Sequence, residues 1–273
     1  MLRAFAAGLV CLGLIGCSPD NRVARDAATT VLDTTIREYG VQRADAIAIA
    51  CLDAEWALPL VGAQDVAVAQ KAWIRARLEY DHGAALFKIV APEIDALIDG
   101  ELDSPLTRTG LRRLEQPLFG KPTADAWTLN QGARALAEAA VRLPPAMADG
   151  ARTLDVGVFL STLSGLAVVA GAKLDGSDSP FAEQSIPSVR SGLEGIAAMY
   201  EPLSGLTHAT DGALDDRIHQ LLSDLLGQLH GVSATDQLRD KALFLRRTAE
   251  LGQVLLKVGP ALGQSVSAIV DVT

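Results

Sequence analysis

Apolar residues recur along most of this chain at three- and four-residue steps, the interval at which one face of an α-helix meets its neighbours. Leu214, Ile218, Leu221, Leu222, Leu225, Leu226 and Leu229 trace one such face, and Leu238, Ala242, Leu245, Ala249, Gly252 and Leu256 trace another. The same period predicts helices over residues 23–57, 63–90, 109–118, 124–143, 151–174 and 186–200. Period-two alternation is scarce, so no sheet is expected. The interruptions are turn formers: Pro59 with Gly62, Asp103-Ser104-Pro105, Gly120-Lys121-Pro122, Pro144-Pro145, and the stretch 175–180. Pro187 suits a first helical turn, and Thr235 with Asp236 is a plausible start to the last helix. Gly259-Pro260 should kink or end that helix, because proline lacks a backbone donor and clashes with the preceding turn. The expectation is an all-α fold of two helical-bundle halves, 23–148 and 149–273, divided near Pro144-Pro145 and Asp149-Gly150. Residue identities alone do not reveal whether one half duplicates the other.

The first residues break this pattern. Met1-Leu2-Arg3 is positive, and residues 4–16 are apolar and uncharged. A helix needs about 20 apolar residues to cross a bilayer, so this run fits a secretory signal better than a span. It closes on Leu14-Ile15-Gly16-Cys17, which resembles the bacterial lipobox. The expectation is a signal peptide over 1–16, a lipidated Cys17 and a tether over 17–22. The competing reading is an ordinary signal peptide that happens to contain a cysteine. Lipidation would place the protein on the periplasmic side of the bacterial envelope, with the membrane as partner. Ser18 after the cysteine resembles lipoproteins sent on to the outer membrane. Each buried acyl methylene contributes about 0.8 kcal/mol to such a tether.

Formal charge is −9, which gives no electrostatic footprint for nucleic acid. Cys11 leaves with the signal and Cys17 is acylated on this reading, so Cys51 would be the one thiol left. Its small and apolar neighbours predict a buried, inert group.

Three segments, in order, resemble the imelysin-like family of bacterial periplasmic or lipid-anchored proteins. The first is Ala72-Trp73-Ile74-Arg75-Ala76-Arg77-Leu78-Glu79-Tyr80, similar to a family helix carrying Trp, Arg and an aromatic at four- and three-residue steps. The second is Gly110-Leu111-Arg112-Arg113-Leu114-Glu115, followed by Leu118-Phe119-Gly120, standing where the family has Gly-x-His-x-x-Glu and Leu-Phe-Gly. Ile94-Asp95 lies upstream, as in relatives. The third, Asp178-Ser179-Pro180-Phe181 and on to Ser185, is similar to a segment that opens a helix in the second half. The resemblance implies two helical bundles and a role linked to iron or another metal at the envelope. Some relatives are classed as peptidases, and a related domain occurs in iron-uptake lipoproteins. It also implies a ligand-binding region around Gly110, Arg112, Glu115, Arg77 and Tyr80.

In the family motif, His and Glu three residues apart share a helix face and can hold one borderline metal ion. Here Arg112 stands in the histidine's place. A guanidinium is a fixed cation with donors only, so it cannot be a ligand and opposes a cation beside Glu115. Three readings stay open: an Arg112–Glu115 ion pair, a remodelled pocket in which Arg112 receives a carboxylate or phosphate, and residual metal binding through Glu115. Iron or another divalent metal remains the implied cofactor, weakened by Arg112.

Other groupings are thinner. Trp73, Arg77 and Tyr80 share a helix face, where Arg77 either covers a packed surface or reaches toward Glu115. Glu79 with His82, and Asp215 with His219, have helical spacing, while His208 and His230 have no acidic partner at such spacing. No His-Glu-x-x-His helix, Gly-x-Ser-x-Gly elbow, Walker loop or cysteine pair at metal spacing occurs, so nothing linear supports the peptidase label. Two functional readings follow. One is an envelope binding protein serving iron or metal acquisition with an altered ligand site. The other is a non-catalytic interaction module with a decayed site, docking to another envelope protein.

Overall fold

The computed structural model describes residues 21–100, 109–150, 154–176 and 178–266, whose regular structure is all helical, with no strand among them. Cys17 and the segment before it lie outside the described residues. In chain order the helices are α1 (Asn21–Thr35), α2 (Val41–Ala57), α3 (Val66–Val90), α4 (Pro92–Asp99), α5 (Leu111–Phe119) and α6 (Ala126–Ala140). They continue as α7 (Leu143–Gly150), α8 (Val156–Ala172), α9 (Ser185–Thr210), α10 (Gly212–Gln228) and α11 (Lys241–Ala261). Five of them begin alike. Asp65, Asp125, Asp155, Asp211 and Asp240 each accept a hydrogen bond from the backbone N–H three residues on. Such a cap contributes about 1 kcal/mol by satisfying a donor that the first turn leaves free.

Several helices depart from the sequence pattern. The single helix expected over 23–57 is divided by a π-turn, Ile36–Gly40. Pro144-Pro145 does not break the chain but sits in the first turn of α7, where the missing N–H costs nothing. α9 runs through Pro202 to Thr210, well past Tyr200. Its length follows from the apolar face of Ile186, Val189, Leu193, Ile196, Met199 and Leu203, all buried. The α10 stripe is buried as expected, whereas in α11 the face is rotated. Phe244, Thr248, Leu251, Leu255 and Val258 point inward, and Leu245 is exposed. α11 ends one residue after Pro260.

Buried side chains from both halves form one continuous cluster. α3 is its axis, packing against α2, α5, α8 and α9. α8 with the short 3-10 turn that follows it, Val156–Asp175, is long and apolar enough to cross a membrane, yet it is mostly buried, with α8 packed against α11, α9 and α3 as a central core helix would be. α3 and α9 approach closely at Gly195, where a Cβ would collide with the His82 carbonyl. Cys51 is fully buried, and burial pushes its thiol up to about 12, in keeping with an inert role.

One polar joint occurs twice. At the α3–α4 hairpin the Tyr80 hydroxyl donates to Asp95 Oδ1 at 2.8 Å, and Lys88 Nζ lies 3.3 Å from Asp95 Oδ2. At the α9–α10 hairpin the Tyr200 hydroxyl donates to Asp215 Oδ1 at 2.7 Å, and His208 Nδ1 lies 3.2 Å from Asp215 Oδ2. The tyrosine and aspartate are 15 residues apart in both, and the basic residue holds the same place between them. The two hairpins thus share one three-residue pattern at identical spacing.

Candidate functional site

The residues singled out in the sequence converge on the centre of the molecule. Trp73, Arg77 and Tyr80 face inward from α3, and all three are buried. The Trp73 indole N–H donates to the Leu111 carbonyl at 2.9 Å and ties the start of α5 to α3. Gly110 has φ +118°, and Gly100 at the end of α4 has φ +71°. Their backbones lie so close that a Cβ on either would strike the other residue. Glycine is required at both places, and the result sets Asp99 beside Arg112.

Arg77 is the hub. Its Nε donates to Asp81 Oδ2 at 3.1 Å, and its Nη2 donates to both oxygens of Asp178 at 2.9 and 2.8 Å. Its Nη1 lies 3.5 Å from Asp99 Oδ1. Arg112 donates from Nε to the same Asp99 oxygen at 3.0 Å, and its Nη2 lies 3.3 Å from Asp178 Oδ1. Lys173, just beyond α8, reaches Asp81 at 2.7 Å and Asp178 at 3.3 Å. Burial opposes the charge on Arg77, but Asp81, Asp178 and Asp99 together outweigh it and hold the guanidinium cationic. Burial likewise works against ionised Asp99 and Asp178. The surrounding cations prevail, keeping Asp99 below the usual carboxylate range and Asp178 at about 2.

The expected Arg112–Glu115 ion pair does not form. Glu115 is taken up instead by the segment before α9: its Oε1 accepts from Ser179 Oγ at 2.9 Å, Phe181 N at 3.0 Å and Ala182 N at 2.8 Å. Arg77 reaches Asp178 rather than Glu115. Spacing within one helix could not foresee either outcome, because the deciding partners arrive from the segment before α9. The Glu79–His82 pairing also dissolves: Glu79 accepts from Arg43 at 2.7 Å, and His82 Nδ1 faces Ser191 Oγ at 3.4 Å. His208, by contrast, gains an acidic partner across the helix break, Asp215.

A cleft of about 110 Å³ opens beside this cluster. Its charged wall carries Arg77, Lys88, Arg112 and Lys173 against the carboxylates Asp81 and Asp99. Its apolar wall is Leu166, Val169 and Ala170 of α8 with Val189 and Gly192 of α9. Ser188 on the same lining is fully buried, and its hydroxyl has no hydrogen-bond partner. A second cavity, about 220 Å³, lies across Arg112 and is bordered by Arg113, Glu115, Asp178 and Phe181. No histidine lines either cavity. This donor set does not fit a metal ion. One Glu115 oxygen is already taken by three donors, and Asp99 and Asp178 each face two guanidinium groups.

Of the site residues, sequence reasoning missed Asp99, Asp178, Lys173 and Ser188. Arg77 and Asp81 carried a legible signal, opposite charges four apart on one helix. The glycines at 100 and 110 marked where two backbones meet. Nothing local distinguished Lys173 or Ser188. No family model matches this chain, and no curated protein matches it.

Proposed function

We propose that this protein is a lipid-anchored binding protein of the bacterial envelope, imelysin-like in type, whose altered site takes a small carboxylate-bearing molecule in the context of iron or metal acquisition. One observation carries the ligand class. In a chain of net charge −9, the central cleft gathers four cationic side chains on its lining; Asp81, Asp95, Asp99 and Asp178 pair with them, yet the Arg112 side chain stays 31 % exposed. An anion can approach the exposed part of Arg112, whose planar fork suits a carboxylate. The unpaired Ser188 hydroxyl supplies a further donor inside the same cleft. Size restricts the ligand: the cleft is smaller than the roughly 150 Å³ cavity that accommodates benzene. A short apolar tail against Leu166, Val169 and Val189 completes the fit. The envelope location rests on the signal-like start and Cys17, and the link to iron rests on the family resemblance.

Calorimetric titration of the purified mature protein with carboxylic acids of two to five carbons tests the reading. Ferrous, ferric, cupric and zinc ions serve as the comparison set. Saturable binding of a carboxylate, weakened about tenfold or more in Arg112→Gln, is expected, as for a lost charge-assisted hydrogen bond. Heat from no carboxylate, or binding indifferent to Arg112→Gln, overturns it. A second reading, the interaction module, is favoured by an apolar patch. Trp56 is 83 % exposed, Val61 88 % and Trp127 63 %. Gln64 and Asn130 bond the 58–65 loop to the start of α6, which places both tryptophans at one end of the bundle. Loss of partner capture from envelope extracts on Trp56→Ser, with the carboxylate titrations silent, selects that reading.

A further inference from the structure

The second polar joint differs from the first in a way that changes its chemistry. At the α3–α4 hairpin the base beside the aspartate is Lys88, a fixed ammonium with donors only. At the α9–α10 hairpin that place is taken by His208, whose neutral ring offers a lone pair. A second imidazole joins it: His219 Nε2 lies 3.5 Å from Asp215 Oδ1, one helical turn along α10. Asp216 adds a carboxylate, and donor atoms of His208, Asp215 and Asp216 all lie within 4.8 Å of one another.

We propose that the α9–α10 hairpin is a site for a divalent transition-metal ion of the zinc class, held by His208, Asp215 and Asp216 with His219 as fourth donor. Donors around tetrahedral zinc at about 2.0–2.1 Å stand roughly 3.3 Å apart. His208 Nδ1 stands 3.2 Å from Asp215 Oδ2, near that edge, while His219 Nε2 stands 3.5 Å from the other oxygen, Oδ1, and turns to join the ion. The supporting shell is in place as well. Asp215 is buried, and its Oδ1 accepts from the Tyr200 hydroxyl and from Ser204 Oγ at 2.8 Å, which fixes the carboxylate's orientation. His208, Asp216 and His219 are exposed, so they can turn onto an ion without disturbing the core. The His208 ring rests against Gly212, where a Cβ would stand 3.4 Å from it. The positive end of the α10 dipole opposes a cation, and the carboxylates Asp211, Asp215 and Asp216 at that end of the helix offset it. Mixed imidazole and carboxylate donors favour zinc, copper or nickel over calcium and magnesium, which take oxygen cages.

The same residues do not make a hydrolytic triad. Ser204 Oγ and Asp215 both approach the one His219 nitrogen, Nε2, whereas a triad needs the carboxylate on the opposite nitrogen. The site is also separate from the central cleft, whose lining includes none of these residues.

The test is titration of the full mature chain, freed of metal, with zinc ions alone, followed by calorimetry and by the imidazole NMR signals. One ion per chain is expected, with the His208 and His219 resonances shifting together and that of His82 unmoved. His208→Gln and Asp216→Asn, both at exposed positions, should each weaken binding more than tenfold. Ser204→Ala should weaken it about tenfold, as loss of an orienting partner does. His230→Gln should leave it unchanged, and calcium and magnesium should give no heat. Circular dichroism of each variant confirms that the fold is kept. Absence of zinc binding overturns the proposal, and so does binding that survives both His208→Gln and Asp216→Asn.

Discussion

The α3–α4 and α9–α10 hairpins hold the same tyrosine, base and aspartate at the same intervals, yet they treat the aspartate oppositely. Burial pushes Asp95 up to about 6, Asp99 adds repulsion, and Lys88 and Tyr80 do not prevail against them. Burial pushes Asp215 the same way, but hydrogen bonds from Tyr200 and Ser204 and the two imidazoles outweigh it, leaving its carboxyl below the ordinary range. The difference lies in what surrounds an identical joint. The first hairpin turns its open side into the molecule, where Asp99 serves two arginines; the second turns its open side to water. The same three-residue spacing thus serves an interior, self-neutralising role once and an outward geometry open to a cation once.

The comparison breaks most sharply at Arg77, which has no charged counterpart at the equivalent place in the second hairpin, Ala197. Arg77→Met leaves Asp81, Asp99 and Asp178 buried beside fewer cations. Removal of one partner from such a network costs about 3–5 kcal/mol, to be read as a lowered urea midpoint with an unchanged slope. A loss under about 1 kcal/mol would show the cluster to be wetter than its burial indicates.

Acidity separates the hairpins next. A carboxyl whose folded value is raised is neutral in both states at low pH, and ionising it inside the fold destabilises as pH climbs. Between 3.8 and about 6, Asp95 therefore costs the native chain up to about 3 kcal/mol. Asp95→Asn should gain stability relative to the native protein across that window, measured by thermal unfolding at stepped pH. A constant difference between the two proteins would contradict the raised value. Smallest in stability and largest in binding is His208→Lys, which gives the second hairpin the first one's base. An exposed substitution should move unfolding by no more than about 0.5 kcal/mol, while zinc affinity disappears. Retained zinc binding would mean that the base position is not what distinguishes the hairpins.

Much of the architecture was readable before any coordinates. The α10 stripe is buried at every position but Leu226, which is half-buried, because a broad leucine face tolerates little other rotation. The α11 face is not, because a face drawn through Ala242, Leu245, Ala249 and Gly252 passes over Phe244, whose larger side chain decides which way the helix turns. Pro144-Pro145 read as a break because proline ends helices from inside, and its position in a first turn cannot be told from the dipeptide. The site was legible only in part. Arg77, Tyr80, Gly110, Arg112 and Glu115 do gather at the centre. Asp81, Asp99 and Asp95 stand 4 to 15 residues from Arg77, Arg112 and Tyr80, but Asp178 and Ser179 come from 64 to 101 residues away, beyond the reach of any spacing rule.

The bidentate pair of Arg77 and Asp178 also bears on how the chain assembles. Its members are 101 residues apart in sequence and stand on elements of different halves. Helical hairpins close quickly because their contacts are local, whereas a contact of this span waits until both ends have been brought together. The guanidinium and its carboxylates therefore stay hydrated while the hairpins form, and lose their water only when α3 and α9 meet. Salt that screens charge should slow that last docking more than it slows the formation of either hairpin.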